Sequence, residues 1–518
     1  MCIRDRLSLP RRVIPMSRSA SSVKENVYLS RLAEMREQAG EIGTTGLSDD
    51  VIERFLASHE ELATAIERGY DAFLDVKRRH PAFLALDEDV QVREAQAGFT
   101  NFYDVQAVNP YIAAAGAGPW IVTLKGAVVY DCGGYGMLGQ GHAPEAVLDA
   151  MNQPHVMANV MTPSVSQMDF IACLEKEIGH SRGGSPFARF LCLNSGSEAN
   201  SVASRIADIN TKNLTDPGAR YEGCGLRGIT LKGSFHGRTA RPARYSDSTL
   251  SDYRKYLASF RDDDYLLTVE PNDIDELEQA FAGAAERNEF IEAFFMEPVM
   301  GEGNHGQAIE PAFYQRAREL TLEHGSMFII DSIQAGLRAQ GVLSIVDYPG
   351  FESLEAPDME SYSKAVNAGQ FPLSVLALSE RAASVFRHGV YGNTMTTNPR
   401  GLDVAVAVLE AFTPELRANI RGRGQELVKR LEELGEELGD AITGVQGTGL
   451  LFSCELAERY KVYGTNSTED YLRRNGLGVI HGGAHSLRYT PRFAVGTDEI
   501  DLIIDLTRDA LLNGPRAS

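Results

Sequence analysis

Between residues 188 and 379, short apolar runs alternate with helix-patterned runs, and this alternation restricts the fold more than any other feature of the chain. ARFLCLN (188–194), RGITLKG (227–233), IEAFFMEPV (291–299), SMFIID (326–331) and FPLSVLALS (371–379) read as strands. EANSVASRIADINT and PAFYQRARELTLEHG (311–325) read as helices. Strands apolar along their whole length have no wet face, and helices between them supply the crossovers that parallel pairing needs. The pattern predicts an α/β fold, a mostly parallel doubly wound sheet covered on both faces. Upstream, IVTLKGAVVYDCGG predicts paired strands with a turn, leading into a Gly-rich loop that ends in GQGH (139–142). After about residue 400, LDVAVAVLEAF and IRGRGQELVKRLEELGEEL form a long helical run. Short strands around GTGLLFSCEL and LRYTP follow, a smaller α+β C-terminal domain. Near the start, Ser48 offers a cap and Ile52, Phe55, Leu56, Leu62, Ile66, Tyr70 and Phe73 recur at helical spacing. That spacing predicts helix over 48–78, in an extension that serves packing or dimer contact and carries no chemistry.

A chain of 518 residues is too long for one core. The expected division is a leader (1–15), a helical extension (16–100), a segment packing on the small domain (101–145), a large domain (146–400) and the small domain (401–518). MCIRDRLSLPRRVIP is Arg-rich like a transit peptide, although it is short and holds Asp5. Its opening MCIRDR also resembles translated sequencing-adapter read-through, which places the expected native start at Met16. Lys plus Arg number 50 against 71 Asp plus Glu, a net charge of −21. So acidic a chain has no electrostatic reason to bind nucleic acid or an anionic membrane. No apolar run is long enough to span a bilayer. The six cysteines form no CxxC pair, so neither a disulfide framework nor a zinc site is expected, and the compartment reads as reducing and cytoplasmic.

In doubly wound sheets, sites lie at the carboxyl ends of strands. Five segments with chemical potential fall there. LNSGSEANS (193–201) joins a strand to a helix, where Gly196 and Ser197 present free N–H groups to an anion such as phosphate, or serve as an ordinary cap. Asp331 ends a buried strand with Gln334 three residues on. A buried carboxylate needs a cation, and the protonated ring nitrogen of a pyridine cofactor is one; a capping Asp is the plainer reading. Lys364 follows 33 residues after Asp331, between Ser363 and Ala365. It reads either as a solvated loop lysine or as a Schiff-base lysine kept partly neutral by burial. In GSFHGRT (233–239), Phe235 can stack on a flat ring and Arg238 can grip a carboxylate, unless the segment is only a polar loop. EPVMGEG (297–303) and SLRYTPR (486–492) supply Glu297, Glu302 and Arg488, a structural Glu–Arg pair or a gate.

In this order, NSGSEAN, SFHGRT, EPVMGEG, DSIQAGLRAQG, SYSKAVNAGQFPLS and GNTMTTNP resemble the class III (ornithine- and acetylornithine-type) aminotransferases of pyridoxal 5'-phosphate (PLP) fold type I. The resemblance covers roughly 105 to 510. It implies that Lys364 is the Schiff-base lysine and proton carrier, that Asp331 partners the pyridine nitrogen, and that Gln334 bonds the phenolic oxygen. Ile333 and Phe235 then take the two ring faces, with His236 beside Phe235 in the cofactor site, and Gly196 and Ser197 hold the phosphate. Thr394 reaches the phosphate of a neighbouring subunit, which implies a homodimer with shared active sites. Arg488 takes the α-carboxylate of glutamate or 2-oxoglutarate, and Glu302 masks it when an ω-amine is bound. Tyr135, seven residues before His142, joins Arg238 in anchoring a distal carboxylate. The substrates implied are an amino donor of the ornithine, acetylornithine, lysine or 4-aminobutyrate kind and a keto-acid acceptor. The chain departs from the family pattern at Ser332, where an acidic residue is usual, at Ala335, at Thr396–Thr397, and in its extension (16–100).

The rival readings are an aminomutase, racemase or decarboxylase on the same cofactor, a nucleotide-binding oxidoreductase, and a non-catalytic scaffold. The oxidoreductase lacks a GxGxxG turn after its first strand, and intact Lys364 and Asp331 oppose the scaffold.

Overall fold

The computed structural model describes residues 20–483 and 485–517, with side chains from Val27 onward. The expected leader (1–15) and the start at Met16 lie outside the described residues. The extension is helical: Ala20–Arg36, Asp49–Leu56, Glu60–Arg79, Pro81–Leu84 and Glu88–Gln96. The single helix expected over 48–78 is two, broken at residues 57–59. Ser48 stands at the N-cap of the first, but its side chain makes no capping bond. Leu32, Phe55, Ile66 and Phe73 share a core with Trp120, Val122 and Val128, so the extension is packed onto the body of the protein. Gly69 marks the closest approach, because a Cβ there would lie 2.7 Å from Val122.

Strands β1 (Ala113–Ala117), β2 (Trp120–Thr123) and β3 (Val128–Asp131) form the predicted antiparallel ribbon. The central sheet has seven strands: β4 (Arg189–Leu193), β5 (Gly225–Leu231), β6 (Leu266–Val269), β7 (Glu289–Met296), β8 (Met327–Asp331), β9 (Met359–Tyr362) and β10 (Ser374–Leu378), in the order β4-β10-β9-β8-β7-β5-β6. Only β10 runs against its neighbours, so the carboxyl ends of the other six share one edge. Alternate side chains go to opposite cores. Phe294, Met296, Phe328 and Ile330 join the larger core, and Ala293, Phe295, Met327 and Ile329 join a second under the helix Gly196–Thr215. Burial of both faces accounts for strands that read as unbroken apolar runs. β6 and β9, four residues each, lie outside the runs singled out in the sequence.

The C-terminal part carries the helices Pro399–Glu410 and Pro414–Glu437 and the strands β11 (Ile442–Thr448), β12 (Leu451–Leu456), β13 (Leu477–Gly478), β14 (Ile480–Gly482) and β15 (Ser486–Tyr489). The order β11-β12-β15-β14 makes a second antiparallel sheet, while β13 pairs with β3, so the ribbon near residue 120 and the C-terminal part are stitched together.

Candidate active site

The shared carboxyl edge of the central sheet opens into a cavity of about 180 Å³. Gly196, Ser197, Phe235, His236, Glu302, Asp331, Ile333, Gln334 and Lys364 all line it. Residues up to 168 positions apart in sequence are thus brought together by strand ends alone.

Asp331 closes β8 and is 4% exposed. Its Oδ2 accepts from Asn200 Nδ2 at 2.7 Å and faces His236 Nδ1 at 2.8 Å. Its Oδ1 accepts from the Ile333 amide at 3.1 Å. Asn200 is itself fixed, donating to the His236 carbonyl and accepting from Ser361 on β9. His236 Nε2 lies 3.0 Å from Thr230 Oγ1. This is a carboxylate oriented from behind, which keeps it aimed. Asn200 and Ser361 were missed in the sequence, yet each sits inside a quoted motif: Asn200 four residues after Gly196 on the same helix face, Ser361 three before Lys364.

Lys364 follows directly on β9, opening a short turn over Lys364–Asn367 with φ +49. A left-handed non-glycine residue is strained and must be held by its surroundings. Ser363 and Asn367 hold it, both donating to the Leu373 carbonyl. Burial draws the Lys364 amine below the ordinary lysine range, with Arg488 adding to that shift and the Glu302 carboxylate opposing it. Among the described residues its amine has no hydrogen-bond partner. The reading of a solvated loop lysine does not apply.

Gly196 and Ser197 open the helix Gly196–Thr215, capped by Ser195, whose hydroxyl accepts from the Glu198 amide. Backbone closeness is forced here. A Cβ on Gly196 would lie 2.6 Å from Ile333, and one on Gly237, at φ +116, would lie 2.3 Å from Ser197 Oγ. Glu297 lies just past β7. Its carboxylate accepts from the amides of Phe235 at 3.0 Å and Gly301 at 2.7 Å, and burial pushes its pKa up to about 7.

The Glu–Arg pair forms. Arg488, on β15 and buried, donates from Nη1 to Glu302 Oε2 at 3.0 Å and to the Gly301 carbonyl. Its Nε is buried with no partner among the described residues. Tyr135, also left-handed at φ +52, puts its ring 5.5 Å from the Arg488 guanidinium. Arg238 lies 5.2 Å from the Phe235 ring, and the rings of Phe102 and Tyr103 flank it at 5.8 and 5.9 Å. Tyr103 stacks on Tyr135, with centroids 5.9 Å apart. Phe102 and Tyr103 were not read as site residues in the sequence, because nothing local ties the 99–104 loop to residue 238. Tyr135, Arg238 and Arg488 sit beside the cavity without lining it, whereas Thr394 stands apart: it is exposed and its carbonyl accepts from the Val160 amide.

Ser332 donates to Glu360 Oε1 at 2.5 Å, so a carboxylate from β9 stands against the position where the family pattern has an acidic residue. The cavity therefore offers a helix N-terminus for an anion, a buried and oriented carboxylate for a basic ring nitrogen, and an unbonded amine for a carbonyl. This donor set fits PLP.

The sequence pattern of the family Aminotransferase class-III matches residues 102–511, leaving the extension outside. An acetylornithine aminotransferase of Neisseria meningitidis serogroup B is 29% identical over 406 residues, 76% of this chain and 92% of that protein. Ornithine aminotransferase 2 of Staphylococcus saprophyticus is 27% identical over 419 residues, 79% and 96% of the two chains. Among solved structures, the ornithine aminotransferase of Toxoplasma gondii, crystallised with PLP at partial occupancy, superposes with a TM-score of 0.68 at 21% identity, over 82% of this chain and 94% of that one. At that identity the likeness shows the fold, PLP fold type I. The chain belongs to the class III aminotransferases and is a PLP-dependent transaminase.

Proposed function

We propose that this transaminase moves an amino group from an ornithine-like donor (ornithine, acetylornithine, lysine or 4-aminobutyrate) to a dicarboxylic keto acid such as 2-oxoglutarate. The observation that carries the reading is the buried Arg488–Glu302 pair beside Lys364. One pocket must take a dicarboxylate in one half-reaction and an amine in the other. A guanidinium masked by a removable carboxylate meets both demands. Glu302 has somewhere to go, since it also borders a second, polar cavity of about 310 Å³ between its loop and the C-terminal sheet. An aminomutase, racemase or decarboxylase has no comparable need for two carboxylate states.

In this reading Lys364 holds PLP covalently, Asp331 pairs with its ring nitrogen, Gln334 faces its phenolic oxygen, and Ile333 and Phe235 cover its faces. Gly196 and Ser197 receive the phosphate, and His236 acts from behind Asp331. Bound PLP supplies an electron sink for the bond broken at the substrate's amine-bearing carbon. Lys364 would take the proton from that carbon and deliver it to the cofactor side rather than back to the same atom, a task that suits an amine already drawn below the usual lysine range. Arg238 and Tyr135 grip the donor's far carboxylate, and Arg488 takes the acceptor's.

The active enzyme is a homodimer in this proposal. Met157, Val160, Met161, Val165 and Met168 are strongly exposed in the stretch whose Val160 amide donates to the Thr394 carbonyl, and Met395 beside Thr394 is exposed as well. An apolar patch of this kind marks an interface, and burying it against a second copy would carry Thr394 toward the partner's phosphate site. Cys132, Cys173, Cys192, Cys224 and Cys454 are unpaired, which supports a reducing, cytoplasmic setting. No helix among the described residues is long and apolar enough to cross a membrane.

The test is a screen of the five donors ornithine, acetylornithine, lysine, 4-aminobutyrate and putrescine against 2-oxoglutarate and pyruvate, with wild-type and Arg488→Leu protein. Wild-type protein should be yellow and shift its visible absorbance on adding a donor, and Lys364→Ala should not shift. Arg488→Leu should harm the 2-oxoglutarate half-reaction far more than the amine half; equal loss in both removes the gate.

A further inference from the structure

We propose that His305 is a positioning residue for the keto-acid half-reaction: it keeps Arg488 in its carboxylate-binding place after Glu302 has left. This rests on the gate reading above. Arg488 Nη1 has two anchors, the Glu302 carboxylate and the Gly301 carbonyl. The gate can remove only the first. The second must then hold the guanidinium alone, and it is held in turn by His305, whose Nδ1 lies 2.9 Å from the same Gly301 oxygen.

The contact settles the tautomer. A carbonyl oxygen only accepts, so Nδ1 carries the hydrogen and Nε2 is a bare acceptor. Nε2 is buried and has no partner among the described residues. Burial and the neighbouring Arg488 charge hold the His305 pKa well below the usual histidine range. The ring therefore stays neutral and does not repel the guanidinium.

The other end of His305 closes a circuit. Its carbonyl accepts from Ser453 Oγ at 2.9 Å and from Gln446 Nε2 at 3.0 Å. Ser453 lies on β12 directly opposite Arg488 on β15. From Gly301 to Arg488, across the strand pair to Ser453, on to His305 and back to Gly301, every link is a hydrogen bond or a strand register. Glu302 is the one member of the gate outside this ring. The Gly301 amide is tied to Glu297 as well, and a Cβ at 301 would lie 2.5 Å from the Gln334 side chain, so the carbonyl cannot drift.

The experiment uses the PLP-loaded enzyme in wild-type, His305→Leu and His305→Asn forms, with Arg488→Leu as reference. Steady-state KM is measured for 2-oxoglutarate and for pyruvate, and the amine half-reaction is followed in single turnovers. His305→Leu should raise KM for 2-oxoglutarate about five- to tenfold, the effect of one hydrogen bond, with pyruvate KM and the amine half-reaction within about twofold. Asparagine keeps an N–H donor near the place of Nδ1 and should restore 2-oxoglutarate KM to within about twofold. If His305→Leu does not fold, Ser453→Ala opens the ring elsewhere and should raise the same KM two- to threefold, roughly. A selective Arg488→Leu with a flat His305→Leu, an equal rise for both keto acids, or no rescue by asparagine overturns the proposal. A non-selective Arg488→Leu overturns the gate itself, and the role of His305 with it.

Discussion

Glu360 offers a test of the electrostatics beneath the site. It lies on β9 beside Ser361, the residue that steadies Asn200. Its carboxylate accepts from Ser332 Oγ and Ser344 Oγ, both at 2.5 Å, and from the Ile345 amide at 3.0 Å. It has no cationic partner within salt-bridge distance among the described residues. Burial outweighs the three donors and raises the pKa from 4.5 to about 7. A raised folded pKa means that the folded state favours the protonated carboxyl. The contribution to stability is full below about pH 4.5 and is lost as pH rises through about 7. The difference of about 2.5 pKa units corresponds to about 3 kcal/mol above pH 8. Glu360→Gln cannot ionise and can still meet the serine hydroxyls and the amide. At pH 4 the variant should match wild type to within about 1 kcal/mol, and at pH 8.5 it should be the more stable by up to about 3 kcal/mol. Thermal unfolding of both proteins at both pH values reads the gap, and titration of other groups cancels in the comparison. A gap that does not change with pH, or that favours wild type at pH 8.5, refutes the assignment of a neutral buried carboxyl.

Three further substitutions probe the geometry. Gly237→Ala places a Cβ 2.3 Å from Ser197 Oγ at a left-handed φ of +116; PLP retention, read by dialysis and absorbance, should fall on the order of ten- to a hundredfold with far-UV circular dichroism unchanged. Asn200→Leu removes the 2.7 Å donor to Asp331, and kcat should drop roughly ten- to a hundredfold, as for a hydrogen bond to a buried charge. A wild-type kcat would show that His236 alone orients the carboxylate. Gly69→Ala forces a Cβ to within 2.7 Å of Val122 and should cost about 1–3 kcal/mol of stability with the chemistry intact; an unchanged Tm would mean that the extension yields freely.

The fold was legible where periodicity and burial coincide. β4, β5, β7, β8 and β10 are mostly apolar because the sheet has cores on both faces, and that signal survives without knowledge of strand order. β9 was invisible for a physical reason. MESY carries Glu360 and Ser361 into full burial, where they serve Ser332, Ser344, Asn200 and Asp331. A strand that buries polar atoms for the sake of a site does not look like a core strand. The break between Leu56 and Glu60 was hidden because apolar residues on both helices face the same core, so spacing alone runs through the gap.

The site divides along the same line. Lys364, Asp331, Gly196, Ser197, Phe235 and Gln334 converge because each sits at or just after a strand end, and chain order with shared strand direction is enough to gather them. Arg488 and Glu302 needed more: their pairing spans 186 residues and joins the loop after β7 to the C-terminal sheet. What no local pattern contains is how such a pair would be kept from collapsing under the proposed movement of one partner. That depends on the Gly301 carbonyl, on a neutral imidazole at 305, and on Ser453 lying opposite Arg488. Each is an ordinary residue in the sequence. A buried guanidinium deprived of its carboxylate keeps its place only if neutral acceptors were already aimed at it, because reorganising them at the moment of binding would cost what the substrate's own carboxylate contributes. The proposed gate therefore demands a fixed acceptor next to a movable one, and the loop from Gly301 to His305 puts two acceptors within reach of one nitrogen of Arg488.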